Sequence, residues 1–149
     1  MRSGVLRLRI PSELDHVFLV GLAINGICAR VLGAEEGVYE AELSVVEAVN
    51  NAIEHAYRGA PGHSVEVVVR VDEQQLTFEV GDMGEPMNWQ NVLTTSESEP
   101  DLRRESGRGL SIILSCMDSV SYRSEAGKNV LTLVKRRRES TREPVDRLS

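Results

Sequence analysis

The chain has 149 residues, enough for one domain with a buried core. It is 41% hydrophobic and 27% charged but only 4% aromatic, so the core must be aliphatic. A net charge of −6 argues against nonspecific nucleic-acid binding by the body of the domain, and no apolar run reads as long enough to span a membrane.

The N-terminal stretch MRSGVLRLRIP lacks the apolar segment of a signal peptide, so a cytoplasmic location is expected. Val5, Leu6, Leu8 and Ile10 predict a strand stopped by Pro11. Ser12 is a candidate N-cap for a helix over 13–32, weakened by Gly21 and Gly26, which could instead allow close packing on the next helix. After a break at 33–37, a second helix is expected over 38–57, ended by Gly59, Pro61 and Gly62.

That second helix is the informative one. Val45, Val46, Val49, Ala52, Ile53 and Ala56 fill one apolar arc at ~100° per residue. Glu47, Asn51 and Glu54 fall together on the other side, spaced four and three apart. Glu47 is a candidate proton acceptor, and Asn51 offers a neutral oxygen suited to Mg²⁺. A solvated acidic face would look the same when taken alone.

Residues 64–71 and 75–80 alternate apolar and polar, which predicts a hairpin. The second strand runs into Gly81-Asp82-Met83-Gly84. There Asp82 could accept from an exocyclic amine such as adenine N6, and Gly84 could let a flat ring approach the backbone. A plain Asp-Gly turn is the other reading. From 86 to 106 the chain is polar and aperiodic, and so long a loop suggests a lid. Gly107-Arg108-Gly109-Leu110 should open a helix to about Met117, with backbone N–H groups free to cradle phosphate. A simple loop-to-helix junction is the alternative. Strands over 119–123 and 129–135 close the chain, and 136–149 reads as a charged, disordered tail after a domain of 1–135.

Cys28 and Cys116 belong to no metal-spaced pair and read as buried, reduced thiols. His16, His55 and His63 form no metal motif. The predicted order implies an α+β, two-layer sandwich: a mixed, mostly antiparallel sheet of about five strands with helices on one face.

Three stretches carry a family resemblance. Glu47-Ala48-Val49-Asn50-Asn51-Ala52 with Glu54-His55-Ala56-Tyr57 resembles the N box of the Bergerat-fold (GHKL-type) ATPases. Gly81-Asp82-Met83-Gly84 with Pro86 resembles their adenine box, and Gly107-Arg108-Gly109-Leu110 their second glycine box. Asn129-Val130-Leu131-Thr132-Leu133 resembles their last strand. Within that group the chain is most similar to the RsbW-like anti-sigma factor serine/threonine kinases, over roughly residues 5–137. Glu85-Pro86 departs from the further glycine that many relatives carry.

The resemblance implies a histidine-kinase-like ATPase fold with ATP and Mg²⁺ as cofactors. It implies Glu47 as catalytic base, Asn51 on Mg²⁺, Asp82 and Gly84 at adenine, and Gly107, Arg108, Gly109 and Leu110 at the phosphates, with Thr132 assisting through water. It further implies a partner-switching kinase that phosphorylates a STAS-type anti-sigma factor antagonist and sequesters a sigma factor or equivalent effector, as a homodimer. The competing expectations are a nucleotide-gated binding module without catalysis and a histidine-kinase catalytic domain, the latter weakened because nothing ahead of residue 5 offers a phosphoacceptor hairpin. A nucleic-acid binder using Lys135 to Arg138 is a fourth class.

Overall fold

In the computed structural model, which describes residues 3–97 and 105–138, the alternating segments pair into one five-stranded sheet. The strands are β1 (Gly4–Pro11), β2 (Ser64–Val71), β3 (Gln75–Asp82), β4 (Ser119–Glu125) and β5 (Lys128–Arg136). Their order is β1-β2-β3-β5-β4. Every pairing among the described residues is antiparallel, so the sheet is not mixed. Period-2 alternation puts Val65, Val67, Val69, Leu76, Phe78, Val80, Leu131 and Leu133 on one face, where all are buried. Each such side chain contributes roughly 1.5–3 kcal/mol of burial. The other face carries Arg7, Arg9, Arg70 and Glu79. Because β4 lies at the edge and β5 returns beside β3, the C-terminal end of β3 meets the N-terminal end of β5, with Asp82 opposite Asn129.

The helices cover the apolar face. A short 3₁₀ turn, Leu14–His16, precedes α1 (Val17–Leu32), so the first helix does not start at 13. Ser12 is not its cap. Its hydroxyl donates to the Ala60 carbonyl (2.9 Å) and accepts from the His63 N–H (3.2 Å), tying the end of β1 to the loop before β2. By length and composition alone Leu14–Leu32 could cross a membrane: it has 19 residues and a mean hydropathy of 1.5, contrary to the expectation from sequence. Here Val17, Val20, Ile24 and Cys28 bury one side of α1, while Phe18 and Leu22 are exposed. Gly21 does allow close packing, since a Cβ there would sit 3.3 Å from Val46; Gly26 has open space instead.

Gly33, at φ 69°, ends α1 in the left-handed conformation that glycine adopts without strain. The following helix, α2 (Glu35–Asn51), therefore begins three residues earlier than expected. It then changes pitch: Ala52–Ala56 is a π-helical turn, with the Tyr57 N–H bonded back to the Ala52 carbonyl at 3.0 Å. The expected loop 86–106 contains α3 (Trp89–Glu97), held by Trp89 and Val92 against the core. Residues 98–104, including Arg103 and Arg104, lie outside the described residues, as do residues 139–149 of the expected tail. The last helix, α4 (Glu105–Cys116), starts two residues before the glycine motif.

Candidate functional site

The acidic face of α2 is not simply solvated. Glu47 and Asn51 are half-buried where α4 crosses α2, and Gly109 makes that crossing possible. A Cβ on Gly109 would lie 2.9 Å from Glu47 Oε2 and 3.2 Å from Asn51 Nδ2. Asn51 Nδ2 is buried with no hydrogen-bond partner among the described residues, a polar atom at the edge of a cleft that the fold leaves unsatisfied. Glu54, expected beside them, is exposed, because the π turn after Asn51 shifts the helical phase.

The π turn also docks the adenine-box candidate. The Ala56 carbonyl accepts the Glu85 N–H (2.8 Å), and any Cβ on Gly84 would overlap that carbonyl. Gly84 is thus needed because the end of the helix approaches it. Gly84→Ala should destabilise the fold by about 1–3 kcal/mol through overpacking, read as a lowered melting temperature. Tyr57 fastens the same loop, accepting from the Met83 N–H (2.7 Å) and donating to the Ser64 carbonyl (2.8 Å). Arg58 pairs with Glu85 at 2.6 Å across its outer side.

Asp82 ends β3 and faces the cleft. Its Oδ1 accepts the Gly84 N–H (2.9 Å) and an Nδ2 hydrogen of Asn129 (2.7 Å). Tyr122 reaches in from β4, accepts the Met87 N–H at 2.8 Å and tilts against Trp89 with ring centroids 5.8 Å apart. Burial first, then the charge of Asp82, push its phenol above the ordinary value against the lowering effect of the Met87 N–H, so it remains neutral near physiological pH. Between these groups lies a cavity of about 160 Å³, floored by Ala52, Val80 and Leu131 and bordered by Asn51, Asp82 and Leu110. That is smaller than the roughly 300–1,000 Å³ of a drug-sized site and about the size of one flat ring, with Asn51 at its border.

The sequence pattern of the histidine kinase-like ATPase domain matches residues 10–135. The chain belongs to that family. It is also similar to proteins called serine-protein kinase RsbW in Staphylococcus aureus strains MRSA252 and Newman. Each is 26% identical over 135 residues, covering 87% of this chain and 85% of the relative.

Within this ATPase domain the expected residues do not all converge. Asn51, Asp82 and Leu110 border one cleft, and Glu47 and Gly109 meet beside it. Gly107 lies in the first turn of α4, where N–H groups lack helical acceptors, but Arg108 and Gly109 lie beyond that set. Thr132 is misplaced by the sequence reading. It alternates with the buried Leu131 and Leu133, pairs with Glu79 and Ser121, and faces away from the cleft. Asn129, which shares the parity of Leu131, occupies the place beside Asp82 instead; that parity was the signal available. Tyr122 carried no comparable signal, and Tyr57 stood in the N-box stretch without a role assigned to it.

Two further expectations change. Cys28 is buried and its thiol is pushed up to about 12 by burial, then by Glu42, but Cys116 is only half-buried. The basic stretch is tied to the body: Lys135 pairs with Glu40 and donates to the Cys116 carbonyl (2.7 Å), and the Arg137 N–H donates to the Gln74 carbonyl (2.8 Å). That leaves Lys135 little freedom to meet a nucleic-acid phosphate. Among the described residues no group of three or more His, Cys, Asp and Glu is suited to a metal.

Proposed function

We propose that this chain is an ATP-dependent protein serine/threonine kinase that works by partner switching. The observation that carries this is the junction of a base-sized cleft ending in Asp82 with Glu47 and Asn51 one turn apart on α2, both against Gly109. Similarity to the serine-protein kinases RsbW supports a hydroxyl acceptor on a protein. Its substrate in this proposal is a STAS-type anti-sigma factor antagonist. Its second partner is a sigma factor or equivalent effector, held when the antagonist is phosphorylated. The working form is a cytoplasmic homodimer.

Asp82 accepts from the base amine, and the N–H groups opening α4 meet the phosphates together with Gly107 and Arg108. Glu47 takes the proton of the attacking hydroxyl. A bond forms between that oxygen and the γ-phosphorus, the β–γ bridging P–O bond breaks, and ADP leaves. Mg²⁺, held by Asn51 and the phosphate oxygens, would offset charge on the transferring group.

Asn51→Ala should weaken ATP binding in the presence of Mg²⁺ by roughly 1–3 kcal/mol, the scale of one lost contact to a charged group, and weaken metal-free binding less. Calorimetry with and without Mg²⁺ tests this. Equal losses in both conditions would make Asn51 structural.

A further inference from the structure

Asp82 and Asn129 face each other across the β3–β5 ladder at the mouth of the cleft. Asn129 is 1% exposed, and every hydrogen-bonding direction of its amide that matters here is defined. Nδ2 donates to Asp82 Oδ1 (2.7 Å) and to the Gly84 carbonyl (3.0 Å), while Oδ1 accepts from the Ser124 hydroxyl (2.7 Å). Turning the amide over would set its oxygen against a carboxylate and a carbonyl, so the orientation is chemically determined. Asp82 Oδ1 therefore accepts two hydrogen bonds, one from Asn129 and one from the Gly84 N–H (2.9 Å). That leaves Oδ2 as the oxygen open to a ligand.

We propose that Asn129, oriented by Ser124, is the positioning residue that presents Asp82 Oδ2 to the cleft and so makes the site select a 6-aminopurine over a 6-oxopurine. The inference rests on the nucleotide-site reading above. A carboxylate oxygen only accepts: a 6-amino group donates to it, whereas a 6-oxo group meets it acceptor to acceptor. Selectivity of this kind requires a fixed acceptor, because a side chain free to swing aside would escape the repulsion. The fixing here is done by direct side-chain contacts at the end of the β3–β5 ladder. Ser124 lies on the edge strand β4 and is itself exposed, so the brace can be weakened from outside without opening the core.

The test compares ATP with inosine triphosphate, which carries a 6-oxo group in place of the amine, by calorimetric titration of the full chain. Wild type should bind ATP in clear preference. Asn129→Leu keeps the approximate volume and removes the donor; its ATP-to-inosine triphosphate preference should fall roughly tenfold or more. Ser124→Ala should lower the same preference several-fold with an unchanged melting temperature, and it decides the matter alone if Asn129→Leu does not fold. A preference unchanged in the folded variants, including an equal loss of both nucleotides, would overturn the proposal and leave Asn129 a structural residue. Failure of the wider reading looks different: wild type itself would bind neither nucleotide.

Discussion

Replacing Glu47 by Gln should lower phosphoryl transfer by roughly 10²–10⁴-fold while leaving ATP affinity close to wild type. The substitution keeps the size and hydrogen-bonding reach of the side chain but removes its basic oxygen. Glu47 does not border the base-sized cavity, which is lined by Asp82, Leu110 and the floor residues Ala52, Val80 and Leu131. Its carboxylate instead sits against Gly109, where α4 meets α2. Binding and chemistry are thus assigned to different groups, and one substitution should separate them. The unphosphorylated partner should accumulate in complex with the variant and nucleotide. Transfer at the wild-type rate, measured in single turnover with saturating ATP, would remove Glu47 from the chemistry.

Asp82→Asn should cost about 1–3 kcal/mol of ATP binding with little change in fold stability. Two donors, the Gly84 N–H and Asn129 Nδ2, converge on the buried side of this residue. An amide placed there would turn its oxygen toward those donors. Its NH₂ would then face the cleft, donor against the donor amine of adenine. The loss comes from this mismatch as well as from lost charge, so it should be smaller for a nucleotide with a 6-oxo group. Calorimetry with ATP, alongside a thermal melt, checks both parts; unchanged affinity would take Asp82 out of the base site.

How much of this was legible in the sequence follows from which physical signals are periodic. The strands around Val65–Val71 and Leu76–Val80 alternate over enough residues that their faces could be assigned, and Asp82 followed as the residue where β3 meets its loop. Glu47 and Asn51 were legible as an i, i+4 pair. The π turn was not: Ala52–Ala56 has the composition of an ordinary helix, and its end docks on Gly84 and Glu85, far away in sequence. That contact is tertiary, and the turn takes Glu54 out of the expected row. Helix α3 was read as loop because its apolar anchors are few, Trp89 and Val92, among polar neighbours. Helix α4 was expected to open at Gly107, with the glycines freeing backbone N–H groups for an anion, yet Glu105 and Ser106 are helical. Thr132 failed on parity: strand period 2 sets it opposite Leu131 and Leu133, while Asn129 shares their face.

The most direct measurement is transfer of label from γ-labelled ATP, with Mg²⁺, to purified STAS-type antagonist proteins encoded in the same genome. The expected result is acid-stable label on a serine or threonine of one antagonist, lost when the kinase carries Glu47→Gln. Acid-labile label retained on this chain, or ATP binding with no transfer to any antagonist, would contradict a serine/threonine kinase built on this site.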